Sequence, residues 1–168
     1  GGVTLFCIKN GRLCKGWAEE DYYARKRQLA DATCDVVKSP HPAPWDAPCE
    51  APDAAVEALA REWLVTPDSW TDTSRIDEIS AEGPRFVELL MIDAVTINQL
   101  FSAGQRGAFH LSCTGTYTGG FEDINPARTG QIVTLHLSGI FDVAGGKVAR
   151  VQVTADRLGL HRSLMGPK

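Results

Sequence analysis

Gln131-Ile-Val-Thr-Leu-His-Leu-Ser-Gly-Ile-Phe-Asp142, followed after a glycine-bearing connection by Lys147-Val-Ala-Arg-Val-Gln-Val-Thr-Ala-Asp156, decides the fold. In the first segment Val133, Leu135 and Leu137 alternate with Thr134, His136 and Ser138. In the second, Val151, Val153 and Ala155 alternate with Gln152, Thr154 and Asp156. A period of two is that of a strand, whose successive side chains point to opposite faces, so each strand has one apolar and one polar face. A hairpin closed by the three-residue loop Ala144-Gly145-Gly146 sets Val143 against Lys147, His136 against Thr154 and Thr134 against Asp156, and polar then faces polar. A two- or four-residue loop sets His136 against Val153 and mixes the faces, so the patterning favours the first register.

Working outward, Asp93 to Phe101 and Gly107 to Thr118 are also rich in Val, Ile, Thr and aromatic residues and bounded by glycine turns, which extends the pair into an antiparallel meander. Upstream the period changes. Asp53 to Val65 places Val56, Leu59, Ala60, Trp63 and Leu64 on one helical stripe, and Trp17 to Lys38 returns Ala18, Tyr22, Leu29, Ala32 and Val36 at helical spacing. Gly83-Pro84 opens a short helix carrying Phe86, Val87, Leu89 and Leu90, and the mixed stretch Ser69 to Ile79 leaves room for a short strand around Trp70. Asn10-Gly11, between Val3 to Ile8 and Arg12 to Cys14, is suited to a tight primed turn and predicts a small hairpin. Ser39 to Pro52 holds five prolines and is read as a loop, a candidate pocket lid.

Helices first and strands afterwards is the α+β order, with the N-terminal helices packed on one face of a curved antiparallel sheet. The expected organisation is one domain, 1–168, with an N-terminal extension over about 1–16 and a proline-rich loop over about 39–52.

Composition narrows the partners. Hydrophobic residues make up 43% and charged residues 23% of the 168, a globular balance with no apolar run of membrane-spanning length. The net charge of −4 has the wrong sign for gripping phosphate backbones, so neither nucleic acid nor membrane is expected as a partner. The five cysteines show no CxxC pair and no histidine at ligand spacing, so no metal site and no disulfide framework is signalled and a reducing, cytoplasmic setting is expected. Gly1-Gly2-Val3 carries no start Met and no basic stretch, and reads as a fragment boundary rather than a secretory leader.

The polar face of the last two strands is where chemistry could sit. Thr134, His136, Gln152, Thr154 and Asp156 share it, and His110, alternating with Phe109 and Leu111, could join it from a neighbouring strand. A carboxylate and an imidazole roofed by apolar helices can hold or pass a proton, because desolvation raises a carboxylic acid's pKa. The competing reading is that this face simply points at water. Trp70 is a candidate for lining an apolar cavity and Tyr22 and Tyr23 offer hydroxyls from the first helix, whereas Trp63 reads as core and Cys113 as a buried, inert thiol. His41 and His161 read as solvent-exposed. No phosphate-cradling loop, dinucleotide fingerprint, GxSxG or HExxH is present, and no cofactor is called for.

Ile97-Asn-Gln-Leu-Phe-Ser-Ala-Gly-Gln-Arg-Gly-Ala-Phe-His110, then Thr114-Gly-Thr-Tyr-Thr-Gly119, Ile124-Asn-Pro-Ala-Arg-Thr-Gly130, Gly146-Lys-Val148 and Ala155-Asp-Arg-Leu-Gly-Leu160, resembles the SnoaL-like polyketide cyclase family of the nuclear transport factor 2-like superfamily. The resemblance runs from about 83, where Gly83-Pro84-Arg85-Phe86 is similar to the short helix before the sheet, to about 165. It implies a cone-shaped α+β barrel, a homodimer through the outer sheet face, and a small-molecule cavity between helices and sheet. It also implies that Asp156 points into the cavity as acid/base, with Val151 and Val153 facing outward. This chain departs from the family in having Gln152 where an aromatic is usual, a longer turn over 125–130, and the inserted proline loop.

The expected function is cofactor-independent proton transfer by Asp156, with His136 and His110, on an aromatic or polycyclic small molecule: aldol-type cyclisation, isomerisation, dehydration or retro-aldol cleavage. Trp70, Tyr22, Tyr23, Thr134, Gln152 and Thr154 are the expected substrate contacts. One alternative is a non-catalytic ligand-binding or assembly module of the same fold, which predicts an Asp156 hydrogen-bonded away from any pocket. The other is epoxide hydrolysis, with Asp72 as a second carboxylate.

Overall fold

The computed structural model describes residues 2–32, 50–80 and 83–166. Residues 39–49 of the proline-rich loop read over about 39–52, with His41, Cys34 and Cys49, therefore lie outside the described residues. Along the chain run β1 (Gly2–Lys9), β2 (Arg12–Glu20), α1 (Tyr22–Asp31), α2 (Ala54–Val65), a 3-10 turn (Pro67–Thr71), β3 (Ile76–Glu78) and α3 (Phe86–Leu89). These are followed by β4 (Leu90–Ala103), β5 (Arg106–Tyr117), a second 3-10 turn (Pro126–Arg128), β6 (Ile132–Ala144), β7 (Lys147–Ala155) and α4 (Arg157–Met165). The main sheet has the order β3-β7-β6-β5-β4, antiparallel except for the β3–β7 pair, and β1–β2 forms a sheet of its own. No helix among the described residues is long and apolar enough to cross a membrane.

The α+β order and the meander match the sequence reading, and three local expectations do not. First, the N-terminal hairpin is longer than Asn10-Gly11 suggested. Trp17 pairs with Leu5 and Glu19 with Val3, so β2 takes the residues assigned to the start of a long helix, and α1 begins only after Asp21, whose carboxylate accepts the Ala24 N–H as its cap. Second, Trp70 sits in a 3-10 turn rather than a strand, its indole N–H donating to the Leu64 carbonyl at 3.0 Å. Third, the β6–β7 loop has two residues, Gly145 and Gly146, both in the left-handed region that a primed turn demands (φ +59° and +69°). Ala144 thus opposes Lys147, and Ala149 is a bulge residue skipped between Val143↔Val148 and Asp142↔Arg150. Turn and bulge together move the register two positions from expectation. Parity survives, so polar still faces polar, but Thr154 opposes Ser138, and the Asp156 N–H bonds the His136 carbonyl.

The larger correction concerns which face is inside. Phe109, Leu111 and Cys113 of β5, Leu135 and Leu137 of β6, and Val151, Val153 and Ala155 of β7 form the buried face. They belong to one core with Val56, Ala60 and Leu64 of α2, together with Trp70, Phe86 and Leu89. Val151 and Val153 are completely buried in that core rather than turned outward as the family resemblance implies. The Phe, Leu and Val side chains of this face offer far more transfer free energy than the intervening Ser, Thr and His, roughly 1.5–3 kcal/mol each on full burial, so the helices take the apolar set. The polar set faces the other way, where the β1–β2 hairpin lies against β5, β6 and β7.

Glu78, at the end of β3, has a side chain only 2% exposed and accepts the Phe86 N–H with both carboxylate oxygens at 3.0 and 3.2 Å, fixing the first turn of α3. Burial pushes its pKa up to about 7 from 4.5, against the opposing pull of the Phe86 amide and the Arg157 and Arg85 guanidiniums. Between these values the folded chain keeps a proton that the unfolded chain has released. The stabilisation is therefore complete below the unfolded value and is lost as pH rises through about 7, a contribution of roughly 3 kcal/mol. Urea denaturation at about pH 5 and about pH 8 should show this difference, and Glu78→Gln should flatten it; an unchanged slope in that variant would assign the pH dependence elsewhere.

Candidate active site

The covered polar face gathers side chains from three separated parts of the chain. His110 of β5 and His136 of β6 project from it with their rings stacked, centroids 5.9 Å apart and planes 16° from parallel. Ser112 is the strand partner of His136, and its hydroxyl lies 3.1 Å from His136 Nδ1. Asn98 is the extra residue of a β-bulge in β4, skipped between Ile97↔Leu111 and Gln99↔His110. The bulge aims its amide nitrogen at His110 Nδ1 and at Ser112 Oγ, each at 2.9 Å. From above, β2 lowers Glu19, whose Oε1 is 2.8 Å from His110 Nε2. His110 and Glu19 are 9% and 14% exposed, so this contact is largely screened from solvent.

Donor and acceptor accounting makes these five residues one continuous array. The Asn98 amide carries two hydrogens, one for His110 Nδ1 and one for Ser112 Oγ. With Nδ1 accepting, the proton of His110 resides on Nε2 and is donated to the Glu19 carboxylate. Ser112 in turn donates to His136 Nδ1, which places the His136 proton on Nε2, the ring nitrogen not engaged in the array. Turning the Asn98 amide over reverses the bonds it controls: its oxygen accepts from both His110 and Ser112, Ser112 accepts from His136, and His136 Nε2 carries a lone pair instead of a proton; one further proton then sits between His110 Nε2 and Glu19, where two acceptors would otherwise meet. The same heavy-atom positions thus present His136 as an acid in one state and a base in the other.

One oxygen of Glu19 and one ring nitrogen from each histidine lie within 4.8 Å of one another, the spacing a metal ion would need. A metal-bound histidine donates its other ring N–H to a neighbour, whereas His110 Nδ1 faces the Asn98 amide nitrogen, a donor. With the Asn98 nitrogen there the hydrogen bonding suits proton transfer; with the amide turned over, Nδ1 donates to the Asn98 oxygen, as a metal ligand's would.

Beside the histidines the same face carries Ser138 and Thr154, strand partners and both fully buried, and Gln152. Ser138 Oγ, Thr154 Oγ1 and Gln152 Oε1 have no hydrogen-bond partner among the described residues, although the Gln152 amide nitrogen donates to Asp77 at 3.1 Å. Buried polar atoms normally find partners, and these three, two hydroxyls and one amide oxygen, lie enclosed without one among the described residues.

Other residues singled out by sequence fall elsewhere. Asp156 is the N-cap of α4, Oδ1 accepting the Gly159 N–H at 2.8 Å, and not a carboxylate aimed beneath the helices; its strand ends one residue earlier and the helix claims its side chain. Thr134 is exposed opposite Thr114. Trp70 is buried against Trp63, Phe86 and Phe109 and borders a cleft of about 600 Å³ with Val87, Ile92 and Asp93. Tyr23 borders two further clefts of about 230 and 540 Å³ on the α1 side, while Tyr22 is exposed beneath the Arg25 guanidinium. None of these three clefts is lined by His110, His136 or Asp156. His161, expected at the surface, is buried and bonds Asp123 at 2.8 Å. Cys113 is buried as expected, which pushes its thiol up to about 12. Asp72 is exposed and tied to Ser74 and Arg75, so with Asp156 acting as a cap no two-carboxylate geometry for opening an epoxide forms between them.

Glu19, Asn98 and Ser112 were not legible as site residues. Ser112 alternates in phase with His110 along β5 and could have been found. Glu19 and Asn98 depend on a long hairpin and a bulge that local periodicity does not reveal.

A helix-roofed sheet curling through four antiparallel strands is the cone-shaped α+β architecture of the nuclear transport factor 2-like superfamily. The family pattern of the SnoaL-like polyketide cyclases matches residues 51–164, and the chain belongs to that family. Among solved structures, a protein described as a candidate SnoaL-like polyketide cyclase from Jannaschia sp. CCS1 is 16% identical over 75% of this chain and 100% of its own, with a TM-score of 0.49. TsrD from Streptomyces laurentii and AclR, a candidate hydroxylase from Streptomyces galilaeus, are each 20% identical over 68% of this chain and 98% of theirs, with TM-scores of 0.45 and 0.49. No curated protein matches.

Proposed function

We propose that the protein is a small-molecule enzyme in which His136 exchanges a proton with carbon or oxygen next to a carbonyl of an aromatic or polycyclic substrate. Its chemistry is then aldol-type cyclisation, isomerisation, dehydration or retro-aldol cleavage, all of which need that step. The observation that carries this reading is the continuous array Glu19–His110–Asn98–Ser112–His136 on a face screened by the hairpin. In the proposed cycle His136 Nε2 takes a proton from one atom of the substrate and returns that proton to another, while its Nδ1–H donates to Ser112 and Asn98 holds the Ser112 hydroxyl in place. The Ser138 and Thr154 hydroxyls donate to the substrate's carbonyl oxygen, and Gln152 Oε1 accepts from a substrate hydroxyl. Membership of a family of cyclases supports the substrate class.

The test needs no knowledge of the complete reaction. A panel of aromatic β-keto compounds in deuterium oxide should gain deuterium at the carbon beside the carbonyl faster with protein than with buffer, and Glu19→Gln should slow the gain. Exchange at the buffer rate throughout, or loss of exchange on chelation of metal, would overturn the proposal. A second reading, a non-catalytic binding module of the same fold, is favoured by one observation: the capping role of Asp156. It predicts saturable binding of such a compound with no exchange.

A further inference from the structure

The β1–β2 hairpin that carries Glu19 holds two cysteines on its exposed part. Cys14 Sγ lies 3.2 Å from Cys7 Sγ and 3.2 Å from the Cys7 carbonyl oxygen. The cause is a register shift: Cys7 opposes Lys15 and Ile8 opposes Leu13, so Cys14 is the unpaired residue of a bulge and its side chain falls beside Cys7. Both residues are exposed, in contrast to the buried Cys113. The thiol–thiol hydrogen bond from Cys14 pushes Cys7 up, with Lys15 pulling the other way.

We propose that Cys7 and Cys14 are a cross-strand disulfide site, oxidised by a low-molecular-weight disulfide such as oxidised glutathione. A disulfide needs its sulfurs at about 2.05 Å, so the pair must close by roughly 1 Å, a movement that side-chain rotation in an exposed hairpin supplies. The thiolate of one cysteine attacks glutathione disulfide, forming a mixed disulfide and expelling one glutathione thiolate. The second protein thiolate then displaces the other glutathione, so two protein thiols are oxidised, two glutathione thiolates are expelled and the two protons lost by the protein thiols are left to them or to solvent. No other pair of described cysteines is placed for this. The bond would close the turn around Asn10-Gly11 and fix the register of the strand bearing Glu19. The proposal does not depend on the proton-transfer reading.

Trypsin makes the test sharp, because Lys9 and Arg12 lie between the two cysteines. After incubation of the full chain with oxidised glutathione, acid quench and digestion, fragments 1–9 and 13–15 should be recovered joined, lighter by about 2 Da than their sum. A Cys34→Ser/Cys49→Ser variant should give the same joined pair, and Cys7→Ser should leave Cys14 as a stable glutathione adduct. Persistent glutathione adducts on both cysteines of the parent chain, or Cys7 joined to Cys34, Cys49 or Cys113, would overturn the assignment.

Discussion

His136→Gln is expected to lower the rate of deuterium gain by about 10²–10⁴-fold, the range that a single positioned general acid or base supplies. Glutamine keeps a hydrogen-bonding group near the Ser112 hydroxyl but cannot accept and return a proton, so binding of the carbonyl compound should persist while exchange disappears. His110 sits one step back, with Asn98 on one nitrogen and Glu19 on the other, and is a positioning residue in this scheme. His110→Gln should therefore depress the rate less than His136→Gln and shift its pH profile, a change that a merely structural role would not produce. Equal rates for the parent and His136→Gln would remove that residue from the chemistry.

Arg157→Met is expected to be the most destabilising single change, by about 3–5 kcal/mol in urea denaturation, because it removes from a buried carboxylate the guanidinium that meets it through two contacts. Arg157 is completely buried and meets Asp21 through two contacts, Nε–Oδ1 at 3.2 Å and Nη2–Oδ2 at 2.5 Å. Its Nη1 donates to the Pro84 carbonyl at 3.1 Å, and its guanidinium lies 5.4 Å from the centre of the Tyr23 ring. The pair ties the cap of α1 to the first turn of α4 across nearly the whole chain. Pairing Arg157→Met with Asp21→Asn should recover part of the loss, since the buried charge that Arg157 faced goes with it. A cost below about 1 kcal/mol for the single variant would show that water reaches Asp21.

The strands of the meander were legible because Val, Leu and Phe alternate with Ser, Thr and His over many residues, and α2 because Val56, Ala60 and Leu64 recur at helical spacing and are buried. Alternation separates two faces without saying which one the helices cover. In this protein both are covered, one by helices and one by a hairpin, and Val151 and Val153 lie under the helices, whereas the family resemblance implies that they face outward. The histidines were found because they share the phase of the polar face. Their partners depend on a bulge in β4 and on pairing between residues far apart in sequence, which local patterning does not encode. Asp156 shows the opposite hazard: a residue matching a family motif has a local use, capping α4, a helix that the sequence reading does not predict.

The carboxylate that completes the array comes from residue 19, well outside the segment 51–164 that defines the family. The scaffold and the two imidazoles lie within the shared segment, while the carboxylate that meets one of them is delivered by a forward appendage. In such an arrangement chemistry can be gained or retuned by altering what precedes a common shell, leaving the shell's own packing undisturbed.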